Sequence, residues 1–380
     1  MRRNSGAFMT IIITITAHVS SCCKSFCAVW EKEDLPLMLN GNDHKKFTAC
    51  GNCEAEALLQ RVLSEIKETL SGMGLCVVLG GSYGRGDGGV RQDKENGLLY
   101  NDLDFFVFAR QSLPGAEKIL KSVAHRYEKE LQVDVDFSRI MSVNDLKNNA
   151  RRLMMQELKR GYRLVCGEDL LQQYLPEIPA GELPFSEACR LLLNRGMGLL
   201  LAGEKIANDS DETDFILRNI YKAILGAGDA ILIAENMYRW KIADRLESIE
   251  KSDMPEIYKG LYREAVAFKY APHRKRKPDM KSFWHQVRDF FQAAVVRCSH
   301  DKKDLHTGIF CRCAEKGELS LKNFIKYCIK SHSLPLGAWN YYTMPPVAVL
   351  AVDVYWALSK MPEKNTVSKS KLYRHWLIFN

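Results

Sequence analysis

Long apolar runs are scarce in this chain. Its two most apolar stretches, residues 8–19 and 346–358, are too short to span a bilayer as helices, and Asp353 interrupts the second. No membrane segment and no membrane partner are therefore expected. Proline is also sparse, 12 residues in 380 against 25 glycines, which excludes collagen-like and proline-rich linker architectures. No internal repeat is visible, which sets solenoids and propellers aside. The nine histidines fall at no metal-ligand spacing, and Gly86-Asp87-Gly88-Gly89 lacks the lysine of a nucleotide P-loop.

The twelve cysteines are many but scattered through segments that read as helix or strand, so they fit reduced thiols better than a disulfide framework. Cys50–Cys53 and Cys311–Cys313 do not combine into a zinc site of ordinary spacing. Charge of one sign is only mildly in excess: 54 Lys and Arg against 46 Asp and Glu leave a net +8, which suits an acidic partner. Only Arg274-Lys275-Arg276-Lys277 is a basic cluster, and it reads as a solvated turn, so nucleic acid is not the expected partner.

With 46% apolar and 26% charged residues the chain has the balance of a folded protein, and its length allows two domains. At the start, Arg2 and Arg3 precede the apolar run and Ser20-Ser21 follows it, which resembles an export signal. A start codon placed too far upstream is the preferred explanation. Residues 1–50 are expected to be poorly ordered, and the chain to be cytoplasmic, with export left open.

Apolar residues recur at helical spacing over residues 55–70, and a short β-branched strand over 75–79 runs into Gly80-Gly81. A strand over 103–108, a helix over 115–131 and a strand over 133–137 come next. The expected unit is a small α/β sheet packed by helices on one side, within residues 51–175. Further on, a helix over 151–159, a last strand over 162–165 and a proline-bearing linker over 175–184 lead into residues 185–380, which read as helices alone. The fold class is α+β: a small mixed sheet packed by helices, followed by an all-helical domain.

Three features carry chemistry. In Gly80-Gly81-Ser82-Tyr83-Gly84-Arg85-Gly86 the glycines permit positive φ and close approach of a ligand, Ser82 adds a hydroxyl, and Arg85 adds a cation able to fork onto phosphate. Asp102-Leu103-Asp104 places two carboxylates on one face of a strand, a costly arrangement without a cation and one that suits Mg²⁺. Asp134 and Asp136 repeat the pattern on the third strand; Asp136 is the preferred third carboxylate and proton acceptor, with Asp134 as the alternate.

Gly80-Gly81-Ser82, Asp102-x-Asp104 and Asp136 resemble the signature of the DNA polymerase beta-like nucleotidyltransferase superfamily, over residues 75–140. Gly81-Ser82-Tyr83-Gly84-Arg85-Gly86 followed by Asn101-Asp102-Leu103-Asp104 is most similar to the bacterial branch that includes aminoglycoside and protein nucleotidyltransferases. The resemblance implies Asp102, Asp104 and Asp136 as ligands of two Mg²⁺ ions, with Mn²⁺ able to substitute, and Gly81 and Ser82 as triphosphate contacts. It implies transfer of a nucleoside monophosphate from a nucleoside triphosphate to a hydroxyl acceptor, with a small molecule as the leading acceptor. A protein acceptor, and a nucleotide-binding regulator without turnover, are the alternatives. The interval between Ser82 and Asp102 is longer than the family pattern, and residues 91–97 read as a surface insertion. In the helical half, Asn194, Arg195, Lys222 and Asp229 stand beside apolar faces, and helix packing is the preferred account of them.

Overall fold

The computed structural model describes residues 46–91, 97–332, 339–361, 367 and 370–379. The apolar run at 8–19 and residues 92–96 of the expected insertion lie outside them. Within the stretch expected to be poorly ordered, Phe47 and Thr48 are buried, and both backbone N–H groups donate to the Glu56 carboxylate at 2.7 and 2.8 Å.

Helix α1 (Cys53–Leu70) begins where Asn52 accepts from the Ala55 N–H, with Glu54 and Glu56 in its first turn. It buries Ala55, Leu59, Val62, Ile66 and Leu70 along one stripe. Strand β1 (Cys76–Leu79) follows, then a short helix α2 (Gly81–Arg85) and β2 (Leu103–Ala109). Next come α3 (Ala116–Leu131), β3 (Val135–Phe137), β4 (Met141–Ser142), α4 (Val143–Asn148), α5 (Leu153–Arg160), β5 (Arg163–Cys166) and α6 (Leu170–Tyr174).

The strands form a mixed sheet in the order β3-β2-β1-β5, with β4 pairing the far end of β2. β1 runs antiparallel to both β2 and β5, while β2 and β3 are parallel. Helices cover both faces of this sheet, not one. Val77 and Leu79 pack with α1 and α3, whereas Cys76 and Val78 pack with Leu146 of α4, Met155 and Leu158 of α5 and Leu170 and Leu171 of α6. That is why every residue of β1 is buried: a strand covered on both faces shows a continuous apolar run without alternation.

Beyond a 3₁₀ turn at Ala180–Glu182, the described residues are helical, with a second 3₁₀ turn at Trp339–Thr343 and no further strand. They form α7 (Phe185–Ala207), α8 (Thr213–Ala234), α9 (Ile242–Lys251), α10 (Glu256–Tyr270), α11 (Met280–Ser299), α12 (Leu305–Glu315), α13 (Leu321–Ser331), α14 (Pro346–Ser359) and α15 (Lys371–Phe379). α7 and α8 pack along their length, and α11 and α14 lie against them in one apolar cluster that also takes in Tyr100 and Leu153 from the sheet side. Small residues bring these helices close: a Cβ at Gly196 would overlap Val354, and one at Gly203 would sit 2.7 Å from the Trp284 ring. Among the described residues no helix is long and apolar enough to cross a membrane.

Candidate active site at the edge of the sheet

β1 ends in a turn that two glycines make possible. The Gly80 N–H donates to the Asp104 carbonyl at 2.8 Å, carrying the pairing with β2 one residue past the strand. A Cβ on Gly80 would lie 2.7 Å from both Leu158 and Phe106. Gly81 has φ +61°, and a Cβ there would overlap the Asp104 carboxylate. The turn is therefore moulded around Asp104, and Ser82 follows half-buried at its rim.

Tyr83 fixes the next layer. Its ring is fully buried, and its hydroxyl donates to the Gly89 carbonyl at 2.7 Å while accepting from the N–H groups of Tyr100 (3.1 Å) and Asn101 (3.3 Å). Asn101 closes the loop by accepting from the Gly89 N–H at 2.7 Å. One buried hydroxyl thus ties α2 to the residues immediately before Asp102. At the ends of the expected insertion Val90 bridges Leu99, and the Arg91 N–H donates to Leu98 at 2.9 Å.

Parallel pairing sets the carboxylates. Leu103 stands opposite Val135 and Asp104 opposite Asp136, so Asp104 and Asp136 emerge from the same face on neighbouring strands. Residues two apart share that face, which adds Asp102 and Asp134. Burial, then the charge of Asp102 and more weakly that of Asp136, pushes the Asp104 carboxyl up to about 6, against a pull from Lys222 and Arg85. Asp136 is also raised, by burial first, then by Asp134 and Asp102.

The helical half answers this negative charge. Asp214, Arg218 and Lys222 lie four residues apart on α8 and form one stripe facing the sheet. Arg218 donates to the Asp102 carboxylate at 3.1 Å and to the Tyr100 carbonyl at 3.2 Å, lies over the Tyr100 ring, and has Asp214 3.6 Å away. Lys222 is held down to about 8 by burial, then by the like charge of Arg195, with Asp102 and Asp104 pulling the other way. Arg195 itself is packed against Gly226, one turn from Lys222.

Other sequence-derived candidates stand elsewhere. Arg85 is packed over Gly161 and has Asp87 3.7 Å away, although its charge is still felt at Asp104. Asp229 belongs to a buried network behind the site: it pairs with Arg245 at 3.1 Å and accepts from Tyr262 at 2.7 Å, and Arg245 donates to Tyr238, which in turn donates to Glu157. Asn194 accepts from the Trp376 indole at 3.0 Å. Sequence reasoning missed Arg218 and Tyr83. The signal for Arg218 was the polar stripe Asp214/Arg218/Lys222 in a largely apolar helix.

Among the described residues no three His, Cys, Asp or Glu side chains converge closely enough to hold a metal as they stand. Asp102 is committed to Arg218, which leaves Asp104 and Asp136 as the register-paired couple. The donor chemistry nevertheless fits a hard cation: carboxylate oxygens crowded enough to raise each other's pKa gain from a dication, and Mg²⁺ needs only one or two carboxylates when substrate phosphates and water complete its shell. A separate cleft of about 720 Å³, bordered by Arg110, Lys118 and Lys121, opens at the opposite end of β2 and does not include these residues. No family model, no curated protein and no solved structure matches the chain.

Proposed function

We propose that the protein is a nucleotidyltransferase that moves a nucleoside monophosphate from a nucleoside triphosphate to a hydroxyl acceptor, most simply that of a small molecule. The observation that carries the reading is the parallel pairing of Asp104 with Asp136 beneath the Gly80-Gly81-Ser82 turn, with Asp102 on the same face. The motifs lie far apart in sequence, and their convergence on one sheet edge is what such chemistry needs.

In this reading the triphosphate lies between the turn and α8. Ser82 donates its hydroxyl to a phosphate oxygen, and Lys222 and Arg218 neutralise the polyphosphate. Asp136, whose raised pKa makes it a better proton acceptor than an ordinary aspartate, takes the proton of the acceptor hydroxyl. The acceptor oxygen forms its bond to the α-phosphorus as the bond to the bridging oxygen breaks, and pyrophosphate leaves. Mg²⁺ or Mn²⁺ held by Asp102, Asp104 and Asp136 would supply charge neutralisation for the attacking and leaving oxygens.

One observation favours the second reading, a nucleotide-binding regulator without turnover: the ion pair between Arg218 and Asp102 removes a carboxylate from the metal set. Calorimetric titration of ATP, CTP, GTP and UTP, with and without Mg²⁺, into wild type and Asp104→Asn separates the two. Metal-dependent binding that the variant loses supports the transferase. Metal-independent binding that the variant retains supports the regulator, and no binding by folded protein defeats both.

A further inference from the structure

One helix that contributes no residue to the carboxylate edge carries a surface that neither the fold nor the proposed reaction uses. On α13 the apolar residues Leu321, Ile325 and Ile329 are 62%, 49% and 66% exposed, and they recur every fourth residue as a stripe. Lys322, Lys326 and Lys330 follow each of them by one position and form a second exposed stripe beside the first. The helix is docked by its third side: Tyr327 is buried, stacks on Phe379 and meets His375, and Asn323 donates to the Glu318 and Thr343 carbonyls. No acidic residue occurs anywhere in α13. The charges of Lys330, Arg152, Arg190 and Lys322 add to burial in lowering Lys326.

We propose that this face of α13 is a peripheral docking surface for an anionic phospholipid membrane, with the aliphatic stripe set into the headgroup boundary and the lysines against the lipid phosphates. An amphipathic helix lying in the interface needs an aliphatic face, a lysine-rich border and no acid, and α13 has all three. The lysine stems can extend along the apolar stripe while their ammonium groups stay among the headgroups. A single-stranded nucleic acid would use the cations but gains nothing from three aliphatic side chains, because base stacking needs aromatic rings. The proposal departs from the expectation of no membrane partner, and it concerns a helix lying on a bilayer, not one crossing it.

The test is co-sedimentation of the full chain with vesicles of phosphatidylcholine alone and of phosphatidylcholine mixed with phosphatidylglycerol. Wild type is compared with Lys322→Gln/Lys326→Gln/Lys330→Gln and with Leu321→Gln/Ile325→Gln/Ile329→Gln. Wild type is expected to bind the anionic vesicles and not the neutral ones, with partial release by salt. At about 1 kcal/mol for each basic residue near an anionic surface, the lysine variant should lose roughly a hundred-fold in partitioning. The apolar variant should bind weakly and be fully released by salt. All six side chains are exposed, so both variants should keep the wild-type circular dichroism spectrum and unfolding midpoint. Should the apolar variant fail to fold, the lysine variant still decides the matter. Wild type that ignores lipid charge, or binding that survives in the lysine variant, overturns the proposal, because the membrane contact would then belong to another part of the chain. A protein indifferent to vesicles that binds RNA or an acidic polypeptide through these lysines overturns it too.

Discussion

Arg218 on α8 reaches across to the sheet and donates to the Asp102 carboxylate at 3.1 Å. The guanidinium and carboxylate side chains keep 21% and 28% of their surface exposed, so the pair is neither a free surface contact nor a dry one. An interaction of this kind is worth about 1 kcal/mol. A double-mutant cycle with Arg218→Ala and Asp102→Asn, read by urea unfolding, is expected to give a coupling of about 1 kcal/mol. A coupling indistinguishable from zero would mean that the pair does not hold the helical half to the sheet.

Asp104 gives the clearest pH signature. Its carboxyl titrates near 6 in the folded protein and at its ordinary value of 3.8 when unfolded, so the folded state binds this proton more tightly. Stability from this group is therefore greatest below the unfolded value and falls as pH rises through the interval between about 4 and 6. Above that interval the buried charge costs roughly 3 kcal/mol. Asp104→Asn should accordingly be more stable than wild type at pH 8 by about that amount, with the gap closing near pH 4. Added Mg²⁺ should raise the unfolding midpoint of wild type at pH 8 and leave the variant unmoved. An equal response of both proteins would remove Asp104 from the proposed metal set.

How much of this was legible in sequence follows from the range of the interactions. β1 announced itself as a β-branched run ending in two glycines, and α1 and α3 as amphipathic stripes, because local periodicity reports local structure. The two-residue β4 and the six-residue α4 left too short a pattern, although Ser142 and Asp145 form a capping box at their junction. Helices α9, α12 and α15 sit in polar or mixed segments where packing decides the outcome, so they were legible only as part of a region that reads as helical throughout. The carboxylate edge was half visible. Pairs two apart on a strand can be read from sequence, but the register that sets Asp104 opposite Asp136 is a long-range fact. The same holds for Lys222, whose neighbours Asp102 and Asp104 come from the other half of the molecule.

Tyr83 should prove a positioning residue. Its hydroxyl satisfies the Gly89 carbonyl and two backbone N–H groups, and nothing in a phenylalanine ring replaces it. Tyr83→Phe leaves those buried groups short of a partner, at a cost of about 1–3 kcal/mol in stability. Because Tyr100 and Asn101 lead directly into Asp102, the variant should also lower kcat more than it raises KM. A variant with lowered stability but wild-type kinetics would confine Tyr83 to a structural role.

Lys222 links the proposed chemistry to pH from the opposite side. Its ammonium is held down to about 8 by burial and by Arg195, so it begins to lose its proton in a range where an exposed lysine stays charged. If Lys222 neutralises the triphosphate, kcat/KM for the nucleotide should fall as pH rises through about 8, since that ratio reports groups of the free enzyme. Lys222→Arg keeps a charge that does not titrate in this range, so its profile should stay flat across the same interval even if its absolute rate is lower. Lys222→Met should depress nucleotide affinity at pH 7 by one to two orders of magnitude, about 1.4–2.8 kcal/mol, and show little further loss at pH 9. A wild-type profile that is flat between pH 7 and 9, or an arginine variant that falls with it, would place the cation that meets the triphosphate elsewhere, with Arg218 the next side chain on the same stripe.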